Sequence, residues 1–185
     1  MGTTQKISYI SNRMNQNSGY DYYHTLSKSI LAYIEGAPPE QIDSILEAPK
    51  NAFEREHNRA AYNAFLTRFG KSKNISSVRK KRTFNIKGAL FKIECDPVFS
   101  TVEGGIFWVH ALWAAQNMKL QKVYGGVGCH ILKECYRGTE LSNSNFAIVD
   151  LGVPYRHSEK SINNHTVSTL KHDAASISRL IEENL

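Results

Sequence analysis

The sequence predicts an α+β fold, with helices first, a small mixed β-sheet next and a closing helix at the C-terminus. Three observations carry that expectation. Apolar residues recur at helical spacing as far as Gly70, alternating or continuous apolar runs take over between Thr83 and Leu151, and a helical stripe returns from Val167 onward. The chain has 185 residues, 41% hydrophobic and 22% charged, which suits one globular domain with a real core. The expected organisation is a flexible lead-in over 1–18 and a single domain over 19–185. That domain divides into a helical portion (19–70), a basic loop (71–82) and a sheet portion (83–185).

The first helix is expected from Tyr20 to Glu35. Tyr23, Leu26, Ile30 and Ile34 share one face, and Gly36 supplies a left-handed stop. Pro38 and Pro39 suit the start of a second helix containing Ile42, Ile45 and Leu46. Pro49 opens a third, with Phe53, Ala64, Phe65 and Phe69 on its apolar face and Gly70 at its end. The stretch Lys71 to Arg82 is polar and unpatterned, and reads as a linker or exposed loop.

Thr83 to Lys87 is a short strand, and Gly88 allows a turn. Ala89, Phe91, Ile93 and Cys95 then alternate with Leu90, Lys92, Glu94 and Asp96, which is strand periodicity with one face more apolar, ending at Asp96-Pro97. Ile106 to Trp113 is nearly all apolar and suits a central strand covered on both faces. It is expected to pair antiparallel with the strand ending at Cys95, across the Glu103-Gly104-Gly105 turn. Met118 to Arg137 has helical spacing but contains Gly125, Gly126 and Gly128, so one poor helix and a turn leading into a shorter helix both remain open. Phe146 to Leu151 is a buried strand. Val167, Leu170, Ala174, Ile177 and Ile181 form the last helix.

The net charge of +6 is unevenly placed. From Lys71 to Lys92 there are eight Lys/Arg and no acid, while the flanking regions balance or run slightly acidic. Arg79, Lys80, Lys81 and Arg82, with Lys87 nearby, are therefore the candidate nucleic-acid contacts, through salt-dependent phosphate binding. Tyr20, Tyr22 and Tyr23 can add stacking. The competing view of the same residues is a solvated charged loop, or a contact with an acidic protein.

Three cysteines, Cys95, Cys129 and Cys135, give no paired framework and point to a reducing compartment, with the cytoplasm as the default. No apolar run is long enough for a membrane helix. Neither CxxC nor HExxH occurs, and Gly125 to Gly128 lacks the Lys-Ser/Thr ending of a phosphate loop, so no metal and no cofactor is expected. His165 and His172, seven apart, can share a helix face at a spacing common by chance, and His24 and His57, on the N-terminal helices, are read as surface residues.

From the third helix to about Leu151 the order is helix, three strands, helix, strand. This αβββαβ order resembles the core of the restriction-endonuclease-like (PD-(D/E)XK) superfamily, over about Ala52 to Leu151. The resemblance implies an Asp near the second strand and an acidic-x-Lys on the third, which together hold a divalent metal and orient water. Here the second strand ends in Asp96, in the order Asp-Pro. The third-strand stretch Phe107 to Trp113 has no acid and no Lys, and His110 is its only polar residue. The resemblance therefore implies a degenerate module that keeps binding and has lost cleavage. Glu94, Asp96 and Asp150, with Glu103, are the carboxylates from other strands that could cluster in its place, against the plainer role of turn and surface acids.

The preferred expectation is a non-catalytic nucleic-acid-binding or accessory module. A protein-interaction or homo-oligomeric structural protein, using Phe107, Trp108 and Trp113, is the first alternative. A hydrolase with a carboxylate or Cys/His site is the second.

Overall fold

The computed structural model describes residues 23–114, 119–153 and 155–183, and the expected lead-in, Tyr20, Tyr22 and Met118 lie outside them. Three helices come first: α1 (His24–Ile34), α2 (Pro39–Glu47) and α3 (Ala52–Phe69). Gly36 takes φ 81° just beyond α1, as its stop requires. Asn51 caps α3 by accepting from the Phe53 N–H. Seven strands follow: β1 (Ile75–Ser77), β2 (Arg82–Asn85), β3 (Lys92–Cys95), β4 (Phe99–Glu103), β5 (Ile106–Trp113), β6 (Asn145–Asp150) and β7 (Tyr155–Ser158). Helix α4 (Lys122–Cys135) joins β5 to β6, and α5 (Asn164–Glu182) closes the described chain. The fold is α+β, with N-terminal helices, a mixed sheet and a C-terminal helix.

The large sheet has the order β1-β4-β5-β6-β7, and only its β5–β6 pair is parallel. A parallel pair needs a crossover, which α4 supplies. Strands β2 and β3 form a separate antiparallel hairpin. This corrects three sequence expectations. The strand ending at Cys95 pairs with β2 and not with β5. The partner of β5 is β4, whose buried Phe99, Ser100 and Thr101 look too polar to announce a core strand. The presumed linker contains β1, an edge strand too short to show a period. The Glu103-Gly104-Gly105 turn does form, with Gly104 and Gly105 at φ 58° and 79°, the pair of left-handed residues a tight hairpin favours.

Cross-strand register assigns the sheet's two faces. Phe99, Thr101, His110, Leu112 and Val149 face α1–α3, where Leu26, Ile30, Tyr62, Phe65 and Phe69 complete one core. Val109, Phe146 and Ile148 face α4, and join Ile131, Leu132, Tyr136 and Leu170 in a second. The β2–β3 hairpin covers part of that second core through Phe84, Ile93 and Cys95.

The glycine-rich segment is one continuous helix. Its glycines are contact points, because a Cβ at Gly125 would sit 2.3 Å from the His157 ring and one at Gly126 would sit 2.4 Å from the Ser161 carbonyl oxygen. A Cβ at Gly128 would meet Ile148 Cδ1 at 2.1 Å, the far end of a flexible side chain. Gly126→Ala is therefore expected to cost about 2 kcal/mol, since backbone cannot retreat cheaply. Gly128→Ala should stay within about 1 kcal/mol of neutral, because Ile148 can change rotamer and alanine gains helix propensity. Urea unfolding midpoints compare the two; equal losses would show that both contacts are equally rigid.

Candidate functional site

Two cavities adjoin beside α1, and the second of them lies where β5 ends. Crevices at the carboxyl ends of parallel strands are the usual ligand sites of α/β sheets. The first cavity, about 530 Å³, lies between α1 and the segment before β2. His24, Lys28 and Glu35 line it from α1, and Arg79, Lys81 and Asp96 face them. The second, about 450 Å³, is mostly apolar and is lined by Tyr23, Leu112, Trp113, Ile131 and Leu132. Ser27, Asp96 and Val98 border both. The sequence pointed to the basic residues and to Tyr23 but not to the aliphatic wall, which α1, β3, β5, α4 and β6 assemble.

Of the basic segment Arg79 and Lys81 line the first cavity, while Lys73 lines a separate pocket beside β1, and several of the segment's cations are neutralised. Arg79 pairs with Glu35, Lys80 with Glu140, and Lys81 with Glu94 at 2.6 Å. All three pairs are exposed, so each is worth no more than about 1 kcal/mol and can be exchanged for another anion. Arg82 opens β2 and Lys87 sits in the β2–β3 turn, both exposed. Neither forms an ion pair among the described residues, and nor do Lys28, Lys71, Lys73 or Lys92. The backbone here is fixed from below, because the Tyr136 hydroxyl donates to the Lys80 carbonyl and lies 3.3 Å from the Cys95 carbonyl.

The candidate carboxylates go elsewhere. Glu94 holds Lys81, and Asp96 lies at the cavity border. Asp150 is fully buried and accepts from the backbone N–H groups of Leu120, Gly152 and Val153. Glu103 accepts two hydrogen bonds from Arg156, at 2.8 and 2.7 Å. Among the described residues no three His, Cys, Asp or Glu side chains converge as a metal site.

The positions where the resemblance requires metal ligands can be checked directly. The second strand of the large sheet is β4, so Asp96 precedes it and is not on it. On β5, the third strand, His110 faces Phe99 across the ladder, and the two rings stack at 4.6 Å. Phe69 of α3 closes over His110 at 5.6 Å. Both His110 and Phe99 are 0% exposed, so rings fill the space between sheet and α3. A divalent metal does not fit these residues.

His110 nevertheless anchors a polar chain that the sequence did not reveal. Its Nε2 lies 2.9 Å from Thr101 Oγ1, and that hydroxyl donates to Glu103 at 3.0 Å. The hydroxyl has one hydrogen, so it accepts from His110, which must carry its proton on Nε2. Nδ1 is then a bare buried acceptor without a partner. Burial first, then repulsion from Arg156, push the His110 pKa down to about 3, against the opposing pull of Glu103. Arg156 itself lies over the Trp108 ring at 4.4 Å. Trp108 is thus beneath an arginine and Trp113 lines the cavity, so Phe107, Trp108 and Trp113 do not form one exposed patch.

Two of the thiols are poor nucleophiles. Cys95 and Cys129 are buried, and burial pushes both up to about 12. Among the described residues no helix is long and apolar enough to cross a membrane.

No family model matches the chain, and no curated protein matches it either. Solved structures do. A protein from Eubacterium rectale described as a candidate exonuclease aligns with 94% of this chain and 72% of its own, at 11% identity and a TM-score of 0.43. A protein designated SSO0001 aligns with 100% of this chain and 86% of its own, at 10% identity and a TM-score of 0.36.

Proposed function

We propose that the protein is a non-catalytic nucleic-acid-binding or accessory module on a degenerate nuclease-like fold. The observation that carries this reading is the acid-free basic segment, of which Arg79 and Lys81 line a cavity. Of its eight cations three are held by exposed, exchangeable carboxylates, and Lys71, Lys73, Arg82, Lys87 and Lys92 have no ion-pair partner among the described residues. The ring-filled space around His110 supports the absence of cleavage chemistry at that position.

Fluorescence anisotropy with DNA across a salt series tests it. Each phosphate contact adds about 0.7 to 0.9 to the slope of log affinity against log salt. Neutralising Arg79, Lys80, Lys81 and Arg82 to Gln is expected to lower that slope by about 3. The substitutions also leave three glutamates unpaired, so Glu35→Gln, Glu94→Gln and Glu140→Gln together should act oppositely and tighten binding. An unchanged slope in the first variant sinks the role of this segment.

A homo-oligomeric interaction protein is the second reading. Val102, Ile106 and Phe107 cluster at the β4–β5 turn with 42%, 47% and 40% exposure. Light scattering that shows only monomer would count against it.

A further inference from the structure

We infer that the cleft between α1, the end of β5 and α4 seats one unpaired nucleotide of a single strand, its phosphate on the basic side and its base in the apolar compartment. This rests on the nucleic-acid reading and specifies its ligand. The two compartments differ in charge, since Lys and Arg side chains line the first and none lines the second. The 530 Å³ side presents Lys28, Arg79 and Lys81 beside Glu35 and Asp96, and the Glu35 and Glu94 that hold Arg79 and Lys81 are exposed and displaceable. The 450 Å³ side presents Tyr23 and Trp113 with Leu112, Ile131 and Leu132, and has Glu94 and Asp96 at its edge. Both volumes fall within the roughly 300–1,000 Å³ typical of small-molecule sites.

The shared border is short. Ser27, Asp96 and Val98 belong to both compartments, so one ligand can occupy the two together. A duplex buries its bases in the stack, whereas a single strand can turn one base outward onto an aromatic surface. Trp113 is at the last position of β5, and the Leu151 N–H bonds its carbonyl at 2.8 Å, which fixes this wall to the sheet.

The test compares a short oligothymidylate, an abasic oligomer of the same length and the corresponding duplex, all by anisotropy at one salt concentration on the unaltered protein. Base stacking predicts that the oligothymidylate binds about tenfold more tightly than the abasic oligomer. Trp113 provides a second readout, because the chain has two tryptophans and Trp108→Phe leaves Trp113 as the only reporter. The oligothymidylate is expected to quench its fluorescence and the abasic oligomer to leave it unchanged. Equal affinity for both strands, or a preference for duplex, overturns the base seat while leaving phosphate binding standing. Failure of every oligomer to bind overturns the seat and the nucleic-acid reading together.

Discussion

Lowering the pH from about 6.5 to about 4.5 is expected to remove about 2 kcal/mol of folding stability through His110 alone. The folded side chain titrates at about 3, whereas an unfolded histidine takes up its proton near 6.5. Between those values the unfolded chain binds a proton that the folded chain refuses, so stability falls as pH falls, by about 1.4 kcal/mol per pH unit. His157 acts in the same direction. It is 1% exposed, and burial lowers its pKa against the pull of Asp150 and of the Leu120 backbone. The groups around His110 are Phe69, Phe99 and Thr101 in contact, with Arg68, Arg156 and Glu103 acting by charge. His110→Phe keeps a ring between Phe69 and Phe99 and removes the unpartnered Nδ1. Its stability near neutral pH should stay within about 1.5 kcal/mol of the original, and its loss on acidification should be far smaller. Urea unfolding of both proteins at the two pH values decides this. Parallel losses would place the acid sensitivity elsewhere.

Such an effect also marks where sequence legibility ends. The helical faces of α1 to α3, the apolar run of β5 and the stripe of α5 were readable because each repeats a local period that packing then rewards. His110 could be named as the single polar residue of its strand, but its stacking on Phe99 required the β4–β5 register, and β4 was not visible. The half of α3 nearest its start hides another exception. Glu54, His57 and Asn58 face inward and are buried, so the apolar stripe holds only in its second half. The basic segment shows the same limit in charge. Its cations can be counted, yet the glutamates that hold Arg79 and Lys80 lie 44 and 60 residues away in sequence. Periodicity reports what a residue's neighbours in sequence impose. The cleft is assembled from α1, β5 and α4, and no local pattern encodes such a meeting.

Asp150→Ala is expected to destabilise the protein by about 3 to 5 kcal/mol, among the largest losses available from one substitution. The carboxylate is 0% exposed and serves two chain segments at once. Oδ2 accepts from Leu120, at the approach to α4, at 2.9 Å, while Oδ1 accepts from Gly152 and Val153 beyond β6 at 3.0 and 3.3 Å. Alanine would leave these three donors without their acceptor, and an unmade buried hydrogen bond costs about 1 to 3 kcal/mol. Asp150→Asn retains one oxygen of similar shape, so about half the loss should be recovered. The pair separates two roles for the residue. A clamp loses stability in both variants whatever ions are present, and the original protein gains nothing from Mg²⁺ or Mn²⁺. A metal ligand would instead show metal-dependent thermal stabilisation of the original protein that vanishes in both variants. The geometry favours the clamp, because both oxygens already hold backbone donors, and the segment they tie down at Leu120 leads into the helix that walls the apolar compartment.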